Sequence, residues 1–102
     1  MQIWTPESFR CAVRALRLIH HASETSGGRS AARNRARGGD PHSQHLEDLA
    51  EDLVCDEPAR HERLAADART LGLIAVVDSD HVHIQAYSRG AHARLRALLD
   101  DA

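Results

Sequence analysis

The chain has 102 residues, about the size of one small domain with a single core. Its 42% hydrophobic and 27% charged residues exclude a disordered chain, and no apolar run is long enough for a membrane span. The net charge of -2 is unevenly distributed, because acids and arginines lie in separate segments. Arg10, Arg14 and Arg17 interrupt the most apolar N-terminal segment, which argues against a secretory signal and predicts a cytoplasmic location.

The first predicted helix begins near Thr5 or Pro6, with Thr5 as its N-cap and Pro6 in the first turn. Its apolar arc is wide and predicts a helix central to the core, or one shared with a second subunit. The arc contains Phe9, Cys11, Ala12, Val13, Leu16, Leu18, Ile19 and Ala22.

Residues 25–42 form a predicted flexible insert rich in glycine and arginine, with no apolar residue larger than alanine. Two interpretations stay open. The insert is either an arm that contacts the DNA backbone or minor groove, or a solubilising loop without a ligand. Its basic residues are Arg29, Arg33, Arg35 and Arg37.

A second helix is predicted from Ser43 to Val54. Its apolar residues fall at helical spacing, and its four acids would then face outward. The apolar residues are Leu46, Leu49, Ala50, Leu53 and Val54, and the acids are Glu47, Asp48, Glu51 and Asp52.

A third helix is predicted to begin at Pro58 and to end at Gly72. Residues 73–77 and 81–86 then form two predicted strands around the turn Asp78-Ser79-Asp80, and Ser88 caps a last helix. The predicted order is helix, loop, helix, helix, hairpin, helix. The expected fold class is therefore mainly α with a short β-hairpin, in a single domain that covers residues 1–102.

This layout resembles a winged helix-turn-helix domain. The segment "HLEDLAEDLVCDEPARHERLAADARTLGLI" is similar to the helix-turn-helix of MarR-type and ArsR-type regulators, through Leu46, Leu49, Ala50 and Leu53 and the later L-G-L-I. The following "VVDSDHVHIQAYSRGAHARLRALL" resembles the wing and closing helix of those families. The resemblance covers about residues 46–99.

The resemblance implies a transcriptional regulator that binds double-stranded DNA as a homodimer, without a cofactor. Its third helix would lie in the major groove and present Ala59, Arg60, His61 and Arg63 to the bases. Two arginines at this spacing are also common on an ordinary exposed helix. The acidic turn at the wing tip departs from the family pattern, which usually has basic residues there.

Two further interpretations are open. Glu47, Asp48, Glu51 and Asp52 could bind a basic protein partner, which would make the chain an interaction module rather than a regulator. His81 and His83 lie on one face of a predicted strand and could share a metal ion, although alternating polar residues are the default on the wet side of a hairpin. No phosphate-binding loop or nucleophile motif is present, so the sequence predicts no enzyme.

Overall fold

The computed structural model describes residues 3–26, 44 and 48–101. Most of the predicted insert at 25–42, including its four arginines, lies outside these residues, and so do Leu46 and Glu47. Within the described part of the chain, no helix is long and apolar enough to cross a membrane.

Helix α1 spans Pro6–His20 and begins as the sequence predicts. The Thr5 side chain accepts a hydrogen bond from the Ser8 backbone N–H, and the Ser8 hydroxyl accepts one from the Thr5 backbone N–H. The helix buries one face, which contains Phe9, Val13, Leu16 and His20. Because Leu18 and Ile19 are 69% and 57% exposed, the buried arc is narrower than the sequence pattern indicates.

A four-stranded antiparallel sheet forms the centre of the molecule. Its strands are β1 (Ala22–Ser26), β2 (Ala50–Cys55), β3 (Ile74–Val77) and β4 (Val82–Gln85), and their order across the sheet is β1-β2-β4-β3. Strand β2 pairs with β1 on one side and with β4 on the other. The strand farthest along the sequence is therefore a neighbour of β2.

Two more helices flank the hairpin of β3 and β4. A 3-10 turn at Pro58–Arg60 leads into α2 (His61–Thr70), and α3 spans Arg89–Asp100. Gly72 follows α2 with a φ of 92°, a conformation that glycine adopts without steric cost. The Ser88 hydroxyl accepts the Ala91 backbone N–H and caps α3 as predicted.

One face of the sheet packs against α1 and α2 to form the core. The sheet contributes Leu53, Val82 and Ile84, which are 0% exposed, and α2 contributes Leu64, Ala65 and Ala68, which are equally buried. Side chains alternate between the two faces along a strand, so the residues next to Leu53, Val82 and Ile84 in the strands point to the opposite face of the sheet. That opposite face carries the polar residues Asp52, His83 and Gln85.

The fold class predicted from the sequence is wrong. The molecule is a mixed α/β structure with a four-stranded sheet, not a mainly α winged helix. The error lies at Ser43–Val54, where the apolar spacing fits a helix but residues 50–55 form a central strand. Strand β1 was also not expected, because its sequence "ASETS" has only Thr25 as a β-branched residue.

Candidate functional site

The polar face of the sheet brings together two residues that are 31 positions apart. Asp52 on β2 lies directly opposite His83 on β4. The Asp52 Oδ1 atom is 2.8 Å from His83 Nδ1, and both side chains are partly buried. This register is fixed by the backbone ladder between the two strands, so the pair is positioned by rigid elements rather than by loops.

The second nitrogen of the His83 ring faces Gln85. His83 Nε2 is 2.8 Å from Gln85 Oε1, and Gln85 Nε2 donates to the Tyr87 carbonyl oxygen at 2.6 Å. Because a carbonyl oxygen only accepts hydrogen bonds, the amide nitrogen of Gln85 must face Tyr87 and its oxygen must face His83. His83 Nε2 therefore carries a proton and donates it to Gln85.

The position of the proton on the His83 ring determines what can lie between His83 Nδ1 and the Asp52 carboxylate. In neutral His83 with its proton on Nε2, the Nδ1 atom presents a lone pair to the Asp52 carboxylate at 2.8 Å. Two such atoms repel each other unless a proton or a metal cation lies between them. A carboxylate oxygen and an imidazole nitrogen are also ordinary ligands of zinc. The donor set therefore fits a divalent metal ion.

An acidic turn precedes His83 in the chain. His81 Nδ1 is 2.7 Å from Asp80 Oδ1, and His81 Nε2 is 3.8 Å from Asp78 Oδ2. The hydrogen bond with His81 holds the pKa of Asp80 below its usual value. Asp80 is therefore ionised at neutral pH and can accept a proton.

Glu51 has the opposite environment to its neighbour Asp52. It pairs with Ile84 in the sheet and is only 8% exposed. Burial and then the nearby Glu24 carboxylate raise the pKa of Glu51 to about 8. Glu51 therefore carries a proton at neutral pH, and it does not belong to the polar face.

The described residues do not form a complete metal site. They contain no group of three or more histidine, cysteine, aspartate or glutamate residues arranged to hold one ion. Catalytic zinc sites usually take three protein ligands and leave one position open. If Asp52 and His83 held a metal ion, they would supply two ligands, and a third would have to come from another part of the chain.

The fold and this pair indicate a class of protein. An aspartate and a histidine in contact on adjacent strands are donor types that metal-dependent hydrolases use to hold a metal ion. The sequence model of the Peptidase M15 family matches residues 13–85, which is well over half of the chain. The chain belongs to the Peptidase M15 family. Neither a curated protein nor a solved structure matches it.

The family match corrects the predicted function. The resemblance to MarR-type and ArsR-type regulators is wrong, and so is the prediction of a transcriptional regulator. The prediction that the chain is not an enzyme is also wrong, because the family is one of peptidases. The expected partner, double-stranded DNA bound by a homodimer, is wrong as well, because the family match points to a peptidase rather than to a DNA-binding protein.

The residues expected on a DNA-reading helix lie in a different setting. His61 is buried, and its Nε2 atom accepts the Cys55 backbone N–H at 2.9 Å. Arg60 is half-buried, and one of its terminal nitrogens is 3.2 Å from His20 Nδ1. Ala59 belongs to the 3-10 turn, and Arg63 is exposed on α2. Arg60 and His61 thus join α1, β2 and α2 within the fold.

Among the described residues, the acids of the predicted helix do not form an acidic helix surface. Asp48 lies in a turn with a φ of 56°, Glu51 is buried and Asp52 contacts His83. These acids therefore do not share one exposed helix face for a protein partner. The sequence pattern did place His81 and His83 on the polar side of a strand, but it missed Asp52 as the partner of His83. Only the pairing of β2 with β4 reveals that contact.

Proposed function

We propose that the protein is a metal-dependent peptidase whose metal ion is held in part by Asp52 and His83. The observation that supports this proposal is the contact of Asp52 Oδ1 with His83 Nδ1 at 2.8 Å on adjacent strands. The family match supports hydrolysis of a peptide bond as the reaction. When bound, a zinc-type cation polarises the scissile carbonyl and activates water for attack.

Asp80 is the proposed general base. It lies three residues before His83, in the turn that leads into β4, and its carboxylate is exposed. An ionised carboxylate can take the proton from the attacking water and pass it to the leaving amine. His81 orients this carboxylate through the 2.7 Å hydrogen bond.

His45 is the proposed third ligand. It lies outside the described residues, so this assignment rests on the sequence alone. It precedes Asp52 by seven residues and directly follows Gln44. Gln44 is buried, and its Nε2 atom donates to the same Tyr87 carbonyl that accepts from Gln85. The chain next to His45 is thus connected by hydrogen bonds to the residue that contacts His83.

The test measures peptide hydrolysis by protein that has been stripped of metal and then reloaded with zinc. The substrate panel contains ordinary L-peptides and a peptide that ends in D-Ala-D-Ala, a substrate type suggested by the family. We expect zinc-dependent cleavage that is lost in Asp52→Asn and His83→Ala. Glu51→Gln is the matched control, because it changes the adjacent acid on the other face of the sheet.

Two further pairs of variants test the other assignments. Asp80→Asn should lower kcat by about 100-fold or more, whereas Asp78→Asn should have a much smaller effect. His45→Ala should weaken zinc binding, whereas His42→Ala should not. Cleavage that persists in chelator or in Asp52→Asn would refute the proposed function, as would a folded, zinc-loaded protein that cleaves no peptide in the panel.

A further inference from the structure

Gln85 makes hydrogen bonds through both ends of its side-chain amide. Its side chain is partly buried on the polar face of the sheet, with its oxygen towards His83 Nε2 and its nitrogen on the Tyr87 carbonyl. The amide cannot rotate by 180° without placing its nitrogen against the His83 Nε2–H and its oxygen against the Tyr87 carbonyl. Both hydrogen bonds would be lost, so the orientation of the amide is determined by its neighbours.

The carbonyl that orients Gln85 is itself held in place. Tyr87 is 3% exposed, and its backbone N–H donates to Gln44 Oε1 at 3.0 Å while its carbonyl accepts from Gln44 Nε2. Its hydroxyl donates to the Trp4 carbonyl at 2.8 Å and accepts the Trp4 backbone N–H at 2.6 Å. Tyr87 is thus fixed at both ends, and Gln85 is bonded to a rigid point.

We propose that Gln85 is a positioning residue that fixes the His83 ring with its proton on Nε2, so that Nδ1 is the atom that binds the metal ion. This inference rests on the proposed function. Without an acceptor at Nε2, a neutral His83 would place its proton on Nδ1 and donate it to the Asp52 carboxylate, which is a strong charge-assisted bond. That proton would occupy the space between the two ligand atoms. Gln85 opposes this competing state.

The role of Gln85 predicts a specific loss of metal affinity. Groups that orient a metal-binding histidine typically contribute about 10- to 100-fold to affinity. Gln85→Met keeps a side chain of similar length but removes the acceptor for Nε2–H, and it should weaken zinc binding by a factor in that range. Gln85→Glu keeps the acceptor for Nε2–H but loses the donor to the Tyr87 carbonyl, so it should restore only part of the affinity.

The experiment measures zinc binding to the full chain by calorimetry and follows His83 by nitrogen-15 NMR in protein loaded with cadmium-113. In the wild type we expect coupling of the metal to Nδ1 and a slowly exchanging Nε2–H. In Gln85→Met we expect weaker binding, together with fast exchange of that proton or coupling to Nε2. Val76→Ala is the structural control, because Val76 pairs with His83 in the sheet and is 52% exposed.

The outcomes separate this inference from the proposed function. A folded wild type that binds no zinc would overturn both. A wild type that binds zinc, with Gln85→Met binding equally well and showing the same Nδ1 coupling, would overturn only the role of Gln85. A loss of affinity in Val76→Ala as large as in Gln85→Met would also overturn it, because any change beside His83 would then have the same effect.

Discussion

The two faces of the sheet place two adjacent acidic residues in different environments. Glu51 and Asp52 are adjacent acids on β2, yet Glu51 points to the face covered by α1 and α2, whereas Asp52 points to the face that carries His83. Burial raises the pKa of Glu51 to about 8. Asp52 is instead 2.8 Å from an imidazole nitrogen. The covered face therefore forms the core, and the polar face carries the two residues that we propose as metal ligands.

The largest expected effect is on the free energy of unfolding, and it differs between the two faces. Leu53→Ala on the covered face should lower the free energy of unfolding by about 2–5 kcal/mol, because Leu53 is 0% exposed and its removal leaves a cavity. Asp52→Ala should lower it far less. Urea unfolding of both variants without metal is the measurement. Equal losses in the two variants would contradict the division between the faces.

Zinc should stabilise the wild type through the polar face alone. At a free zinc concentration of 100 times Kd, ligand binding adds about 2.7 kcal/mol to the free energy of unfolding. The corresponding rise in melting temperature should be absent in Asp52→Ala and His83→Ala, and present in Glu51→Gln. An unchanged rise in Asp52→Ala would show that zinc binds elsewhere.

The raised pKa of Glu51 predicts how stability depends on pH. Between the ordinary value of 4.5 and about 8, folded Glu51 keeps a proton that the unfolded chain has lost. The contribution of this group to stability therefore falls as pH rises through that window. Glu51→Gln cannot titrate, so relative to the wild type it should gain stability from pH 5 to pH 9.

The check for Glu51 is urea unfolding at pH 5, 7 and 9 in the presence of a chelator. The chelator keeps metal binding at Asp52 from contributing to the measured stability. If thermal melting is followed instead of urea unfolding, a change of 1 kcal/mol in the free energy of unfolding corresponds to about 4–8 °C in the melting temperature of a domain of this size. If the difference between Glu51→Gln and the wild type is the same at all three pH values, Glu51 is not buried in its protonated form.

The smallest expected effect lies away from both faces. Ser88→Ala removes the cap of α3 and should cost about 1 kcal/mol, because the Ala91 backbone N–H loses its acceptor. It should leave zinc affinity unchanged. Ser79→Ala in the exposed hairpin turn is the control and should have little effect on stability. A loss of zinc affinity in Ser88→Ala would mean that α3 supports the polar face.

Local signals in the sequence predicted the ends of the helices and the hairpin. Thr5, Gly72 and Ser88 act at helix ends through contacts with near neighbours, and these contacts can be predicted from spacing alone. The alternation of Val82 and Ile84 with polar residues also gave the correct faces of β4. Each of these features depends on residues within a few positions of one another.

The strand β2 and the candidate site depend on distant pairings. Leu49, Ala50, Leu53 and Val54 fit a helix by spacing, but β2 is held by β1 and β4, which lie far away in the sequence. A buried acid at Glu51 also breaks the alternation that would indicate a half-buried strand. Once β2 is taken as a helix, Asp52 falls on a solvent-facing surface. The partner of His83 could then not be recognised.

The proposal that Asp52 and His83 bind one metal ion can be tested directly in crystals of the zinc-loaded protein. The measurement is anomalous diffraction at the zinc edge. We expect one strong peak about 2.0–2.2 Å from an Asp52 carboxylate oxygen and from His83 Nδ1. A fully loaded protein with no peak between these two residues, or with its peak at other histidines, would contradict the account.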